Sequence, residues 1–196
     1  MRAIVLNGHG GVDALEYDEH FPDPECGKDD VVVRVRSTSL NYHDIFTRNG
    51  MPGIKINMPM ICGLDVAGEI AEIGKNITGW KLGDRVLIDP RNRVEGGLVG
   101  ETIHGGLAEY CRVRAHQLVL IPDDVSFDQA SSLPVAYGTA HRMMVTIGEV
   151  NDDDKVLILG ASGGVGTGAL LLAKMAGAEV VVCASTESKM AKLKSL

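Results

Sequence analysis

The run KVLILGASGGVGTGALLLAKMAGAEVVVC, Lys155 to Cys183, constrains the fold of this chain more than any other stretch. A short apolar segment, Val156 to Leu159, meets a glycine-rich turn, Gly160 to Gly166, and small and apolar residues continue to Gly177. The apolar segment is bounded by turn residues and reads as a strand; Gly168 to Ala176 is a helix-forming run, Gly177 sits at its C-terminal cap, and Val180 to Val182 supply the next β-branched strand. Strand, turn, helix and strand make a βαβ unit. Within the turn, A-x-G-x-x-G from Ala161 puts Gly163 and Gly166 at the second and third glycine places of the dinucleotide fingerprint. Gly163 lets a pyrophosphate approach the backbone, and Gly166 lets the helix pack close to the strand. The helix N-terminus offers free N–H groups and partial positive charge, so Ala161, Ser162, Gly163, Gly164, Val165 and Gly166 form the candidate phosphate cradle. The competing reading is a glycine turn that only joins a strand to a helix.

A chain of 196 residues, 45% hydrophobic and 23% charged, has enough apolar material for one large or two small domains with a real core. Its formal net charge of −7, with Lys and Arg scattered, argues against nucleic acid or an anionic membrane as partner. The opening MRAIVLNGHGG is too short an apolar run for a signal peptide, and no later run approaches the roughly 20 residues that span a bilayer. The expectation is a cytoplasmic protein. The four cysteines, Cys26, Cys62, Cys111 and Cys183, form no C-x-x-C pair and read as free buried thiols.

Residues 1–125 read as mostly β. Ala3 to Leu6, Val31 to Ser37, Leu64 to Ile73, Arg85 to Asp89, Leu107 to Val113 and Gln117 to Ile121 are strand-like, and the partial alternation of Val31, Val33 and Val35 with Arg34 and Arg36 suits a half-buried strand. NYHDIFTRNG reads as a short helical turn. Five glycines between residues 90 and 106 predict a long surface loop. Pro122-Asp123-Asp124 marks a domain boundary, with 1–125 the first domain and 126–196 the second. Ser126 with Gln129 makes a capping box, Pro134 interrupts the helix that follows, and a second helix is expected over Ala136 to Ile147.

Several segments together carry a family resemblance: GLDVAGEIAEIG (Gly63 to Gly74), WKLGDRV (Trp80 to Val86), GGLAEYCRV (Gly105 to Val113), LPVAYGTA (Leu133 to Ala140) and GASGGVG (Gly160 to Gly166). In order and spacing the chain resembles the medium-chain dehydrogenase/reductase superfamily, zinc-type alcohol dehydrogenase-like, and within it the zinc-free quinone oxidoreductases related to zeta-crystallin. The resemblance implies an N-terminal GroES-like β-barrel domain followed by an α/β Rossmann domain, with nicotinamide in the cleft between. Gly63 and Gly68 then read as places where a barrel bends or backbones come close. The positions of the catalytic zinc ligands correspond to Asn41, Leu64 and Val135, with Asp65 beside the missing histidine. Leucine and valine cannot coordinate a metal, and the loop corresponding to the structural zinc lobe, DPRNRVEGGLVGETIH, has no cysteine, so no zinc is expected.

The implied reaction is hydride transfer from NAD(P)H to a quinone or an α,β-unsaturated carbonyl, which needs hydrogen-bond donors and a proton source rather than an obligatory Lewis acid. The resemblance puts Asn41, Tyr42, His43 and Asp44 beside nicotinamide and substrate: Asn41 and Tyr42 as donors, His43 in the place of the proton-relay hydroxyl, Asp44 as helix cap or reactive group. Tyr42 has a packing role as its alternative. Thr139 matches a family threonine near nicotinamide, or is an ordinary helix threonine. Ser185 stands where NAD enzymes carry an acidic residue, and with Lys189 favours NADPH over NADH; Glu187 pulls the other way, and Lys189 also reads as a solvated helix charge.

Leu196 falls inside the expected second Rossmann helix, with Ser185 as its N-cap, so the Rossmann domain reads as incomplete and the chain as truncated. A two-strand parallel ribbon has an open edge, and self-association through it is expected. The leading functional expectation is a zinc-independent, NADPH-dependent reductase. The alternatives are a non-enzymatic binding or structural protein on the same scaffold and a zinc-type alcohol dehydrogenase.

Overall fold

Val31, Val32 and Val33 are all buried, so the strand that carries them is covered on both faces and not on one as its alternation suggests. Fully burying a valine of this kind contributes about 1.5–3 kcal/mol. The computed structural model describes every residue from Met1 to Leu196, and the chain divides into two units, Met1–Pro134 and Val135–Leu196.

In the first unit the strands are β1 (Ala3–Leu6), β2 (Leu15–Asp18) and β3 (Asp30–Ser39), then helix α1 (Tyr42–Asn49), then β4 (Met60–Ile61), β5 (Asp65–Ile73), β6 (Arg85–Ile88), β7 (Tyr110–Arg114) and β8 (Leu118–Leu120), closed by helix α2 (Phe127–Ser131). An antiparallel five-stranded sheet has the order β7-β3-β5-β6-β8, and a three-stranded sheet the order β2-β1-β4. Val31, Val33, Val66, Ile70, Val86 and Ile88 form the main core. β2 has no counterpart in the sequence reading. Its segment, LEYD, buries no residue and so shows no period, yet it pairs with β1 from Ala3↔Asp18 to Leu6↔Leu15. The helix start at Ser126 forms as its capping box requires: the Ser126 hydroxyl accepts the Gln129 N–H at 3.2 Å and Gln129 Oε1 accepts the Ser126 N–H at 2.9 Å.

Residues 90–106 form a loop that is only partly at the surface: residues 93–97 are exposed, whereas residues 99–101, 105 and 106 are buried. Val99 is fully buried in the main core, and bridges join Arg91 to Leu98 and Val99 to Ile103. The glycines here bring backbones together: a Cβ on Gly105 would lie 2.3 Å from the Gly63 carbonyl oxygen. In the same stretch His104 turns Nδ1 to the Ile61 N–H at 3.2 Å and meets the Phe21 ring edge-on. Burial, then the charge of Arg112, pull its pKa below the ordinary histidine value. A depressed histidine pKa means that the unfolded chain binds more protons, so stability is full above the unfolded value and falls as pH drops through the folded one. Urea unfolding should show the wild type losing stability between pH 7.5 and 5, and His104→Gln losing less. Equal losses would exclude His104 as a source of the slope.

The second unit holds helix α3 (Ala136–His141), which continues as a wider π-helical segment (Arg142–Ile147), then β9 (Lys155–Ile158), α4 (Gly164–Met175), β10 (Glu179–Val182) and α5 (Glu187–Lys194). β9 and β10 pair in parallel, Glu179↔Lys155 to Val182↔Ile158. Ile158, Ala169, Leu170, Ala173 and Leu193 pack in one cluster, while Leu157, Leu159 and Val181 are exposed. The N-cap of α5 is Thr186, whose hydroxyl accepts the Lys189 N–H, and not Ser185 as the sequence suggested. All four cysteines are free. Cys62 and Cys111 are buried, with thiols pushed up to about 11 and about 12 by burial, Cys26 is half-buried, and Cys183 is exposed, contrary to the expectation for it. No helix is long and apolar enough to cross a membrane.

Candidate functional site

Asn41 enters α1 with extended backbone, and its N–H donates to Asp44 Oδ2 at 2.7 Å, so the aspartate caps the helix that carries it. The other carboxylate oxygen of Asp44 accepts the Gly63 N–H at 2.9 Å. Burial pushes the Asp44 carboxyl above the ordinary value; the N–H groups of Asn41 and Gly63 oppose this, and nearby Asp65 adds to it. The Asn41 amide donates to Asp65 Oδ2 at 2.8 Å, and the Ser39 hydroxyl donates to the same oxygen at 2.6 Å. Asp65 is fully buried, and Ser39 is a partner that the sequence reading did not single out.

Tyr42 is 77% exposed and its ring leans on that of Phe46, with centroids 6.2 Å apart. Asn41, Tyr42 and Asp44 share a cavity of about 280 Å³ with Ile45 and Arg48, further along α1, and with Cys62, which follows β4. His43 does not line it. Its Nε2 lies 2.6 Å from Glu101 Oε2, and Glu101 is buried at the tip of the residue 90–106 segment. No local pattern marked Glu101, because it lies among glycines that read as loop. Leu64, at a family zinc-ligand position, is buried with no donor atom, and Val135 precedes α3 as its N-cap residue. Nowhere do three His, Cys, Asp or Glu side chains gather as a metal would need.

In the second unit the turn after β9 is carried by Gly160, whose φ of 65° is the left-handed conformation that glycine tolerates. The sequence reading took Ala161 as the first position; Ala161 is instead buried, and its N–H donates to the Cys183 carbonyl at 3.0 Å. Gly163 is the N-cap of α4 and no side chain caps the helix, so the first-turn N–H groups of Gly164, Val165 and Gly166 face outward without a side-chain acceptor. A Cβ on Gly163 would meet only the Gly160 carbonyl oxygen, at 3.5 Å. One on Gly166 would lie 2.6 Å from that oxygen and 2.7 Å from Ala161 Cα. Gly163 therefore borders open space and Gly166 a tight helix–strand contact. Ser162 is exposed beside them, and a groove of about 420 Å³ runs past Gly160, Gly163, Gly164, Val165 and Gly166. Thr139 is exposed on α3. After β10, Lys189 Nζ donates to Ser185 Oγ at 3.2 Å, and Glu187 lies in the first turn of α5.

Comparison with known proteins agrees with this architecture. Residues 27–123 match the family described as Alcohol dehydrogenase GroES-like domain. The chain is 34% identical to acryloyl-coenzyme A reductase of Sulfurisphaera tokodaii, over 96% of this chain and 60% of that protein. It is also 34% identical to the chloroplastic NADPH-dependent alkenal/one oxidoreductase of Arabidopsis thaliana, over 100% of this chain and 50% of that one. A solved NAD-dependent alcohol dehydrogenase superposes with a TM-score of 0.93 at 32% identity, covering 100% of this chain and 61% of that structure. The chain thus spans 50–60% of the length of the two curated relatives. An antiparallel β unit with the GroES-like match, followed by a parallel βαβ unit with an uncapped glycine turn, places the chain in the medium-chain dehydrogenase/reductase superfamily.

Proposed function

We propose that this chain carries the acceptor-binding barrel and the first part of the dinucleotide site of an NADPH-dependent, zinc-independent oxidoreductase that reduces quinones or α,β-unsaturated carbonyls. The observation that carries the reading is the first turn of α4, uncapped by any side chain and bordered at Gly163 by open space. A helix N-terminus with free N–H groups and room above it suits a pyrophosphate. The bound nicotinamide would supply hydride. Gly164, Val165 and Gly166 hold the phosphates through backbone N–H groups. Ser185 and Lys189 offer a hydroxyl and an ammonium where a 2′-phosphate would sit, and a carboxylate there would repel it. Both of the curated relatives described have names that point to reduction of an activated carbon–carbon double bond.

Zinc independence rests on the donor set. Leu64 and Val135 offer no ligand atom, and a single carboxylate, Asp65, already accepting from Ser39 and Asn41, does not hold a catalytic zinc. On the acceptor side, Tyr42 offers an exposed hydroxyl, Asn41 keeps a second amide N–H, and His43 supplies a proton. Asp44 acts as the cap that sets the helix start and takes no part in proton transfer.

Glu187 and the NAD-dependent structural relative favour NADH as the second reading. Calorimetric titration of the 196-residue chain with NADPH and with NADH separates the two, followed by turnover with 1,4-benzoquinone and 2-cyclohexen-1-one. Tighter NADPH binding is expected. Tighter NADH binding would overturn the cofactor assignment, and binding of neither would remove the reading for this chain.

A further inference from the structure

The contact of His43 with Glu101 joins a helix to a segment 58 residues away, and both ends are clamped to one backbone position, Gly63. On one side, Asp44, next to His43 on α1, accepts the Gly63 N–H at 2.9 Å and caps the same helix through Asn41. On the other side, Gly100, next to Glu101, has φ 77° and packs so tightly on Gly63 that a Cβ would lie 2.9–3.0 Å from three of its backbone atoms. The turn itself is cross-tied. The Leu98 carbonyl accepts the N–H groups of Glu101, Thr102 and Ile103 at 3.2, 2.9 and 3.1 Å, Gly100 N–H reaches the Ile103 carbonyl at 2.7 Å, and Val99 is fully buried. A free surface pair would have neither anchor, and exposed pairs of that kind contribute little.

From this frame we infer that Glu101 is a positioning residue for His43: it holds the imidazole with its proton on Nε2 and leaves Nδ1 as the nitrogen that gives a proton to the acceptor. A carboxylate only accepts, so at 2.6 Å the proton of the contact sits on Nε2. Asp44, the other carboxylate close to His43, has one backbone N–H on each oxygen, and Asp65 is bonded to Ser39 and Asn41; Glu101 is the carboxylate that engages the ring. The inference rests on the reductase reading above and deepens it. In that reaction hydride arrives with its electron pair at the β-carbon of the acceptor, the π pair of the carbon–carbon double bond shifts to join the α-carbon to the carbonyl carbon, and the π pair of the carbonyl moves to its oxygen. The proton on Nδ1 of the imidazolium then passes to the product, and neutral His43 keeps its Nε2–H on Glu101 until solvent returns a proton to Nδ1.

Nitrogen-15 NMR of the histidine ring in the 196-residue chain tests this directly. Neutral His43 is expected as the Nε2–H tautomer in the wild type, and the Nδ1–H tautomer would overturn the inference without any variant. In Glu101→Gln, checked for folding by its unfolding midpoint, the preference of neutral His43 for the Nε2–H tautomer is expected to weaken. An unchanged tautomer preference in that variant would equally overturn it. With 2-cyclohexen-1-one as acceptor, Glu101→Gln is expected to lower kcat about tenfold, with KM for NADPH unchanged. A tautomer fixed by Glu101 in a protein that turns over no acceptor would overturn the reductase reading and leave the pair itself standing.

Discussion

Gly163→Val is expected to weaken NADPH binding by on the order of 100-fold or more while leaving the fold almost as stable as before. Two hydrogen bonds from backbone N–H groups to a phosphate are worth about 1.5–3 kcal/mol each, and a branched side chain at Gly163 would fill the space that the phosphate needs. The fold has little reason to object. The added Cβ meets only the Gly160 carbonyl oxygen at 3.5 Å, an ordinary contact, and a poorer N-cap residue costs about 1 kcal/mol. Gly166→Ala should behave in the opposite way. Its Cβ would press on Gly160 and Ala161 backbone atoms at 2.6 and 2.7 Å, so the cost falls on stability, about 2–3 kcal/mol. Titration calorimetry and urea unfolding of both variants give the comparison. Unchanged NADPH affinity in Gly163→Val would remove the phosphate cradle.

The largest effect on folding is expected at Gly68→Ala, in the middle of β5. This position pairs with Val35 beside a register shift in β3, and a Cβ would lie 2.1 Å from the Arg34 carbonyl oxygen and 2.9 Å from Val33 Cγ1. The first of these is backbone in the central strand pair, so no side-chain rotation relieves it. The cost should reach about 3 kcal/mol, the upper end for overpacking, and lower the urea midpoint accordingly. A loss below about 1 kcal/mol would mean that the bulge can yield, and that Gly68 is there for another reason.

Much of this architecture is written locally. The β9–turn–α4–β10 unit is legible because each part carries its own signal within a few residues: an apolar run, glycines at fixed offsets, a helix-forming segment and a left-handed residue after it, Gly177 with φ 85°. The capping box at Ser126 and the start of α1 are legible for the same reason. The glycine that bears the turn after β9 is Gly160, one place before the pattern's first position, because a motif specifies spacing and leaves the backbone conformation to the chain around it. β2 was not legible, since an edge strand with no buried residue has no period to read.

The sequence by itself determined the elements whose causes are short-range, together with the family likeness spread along the chain. Tertiary structure alone decided which distant groups meet. Residues 90–106 look like a solvent loop because glycine is common in loops, yet in the second half glycine allows backbone to lie on backbone, and the burial of Val99 and the contact of Gly100 with Gly63 turn that half inward. Glu101 reaches His43, and Ser39 and Asn41 converge on Asp65, only because closure of the sheets brings these segments together. Such contacts gain their energy from burial and charge at separations of 24 to 58 residues, where no local spacing in the sequence records them.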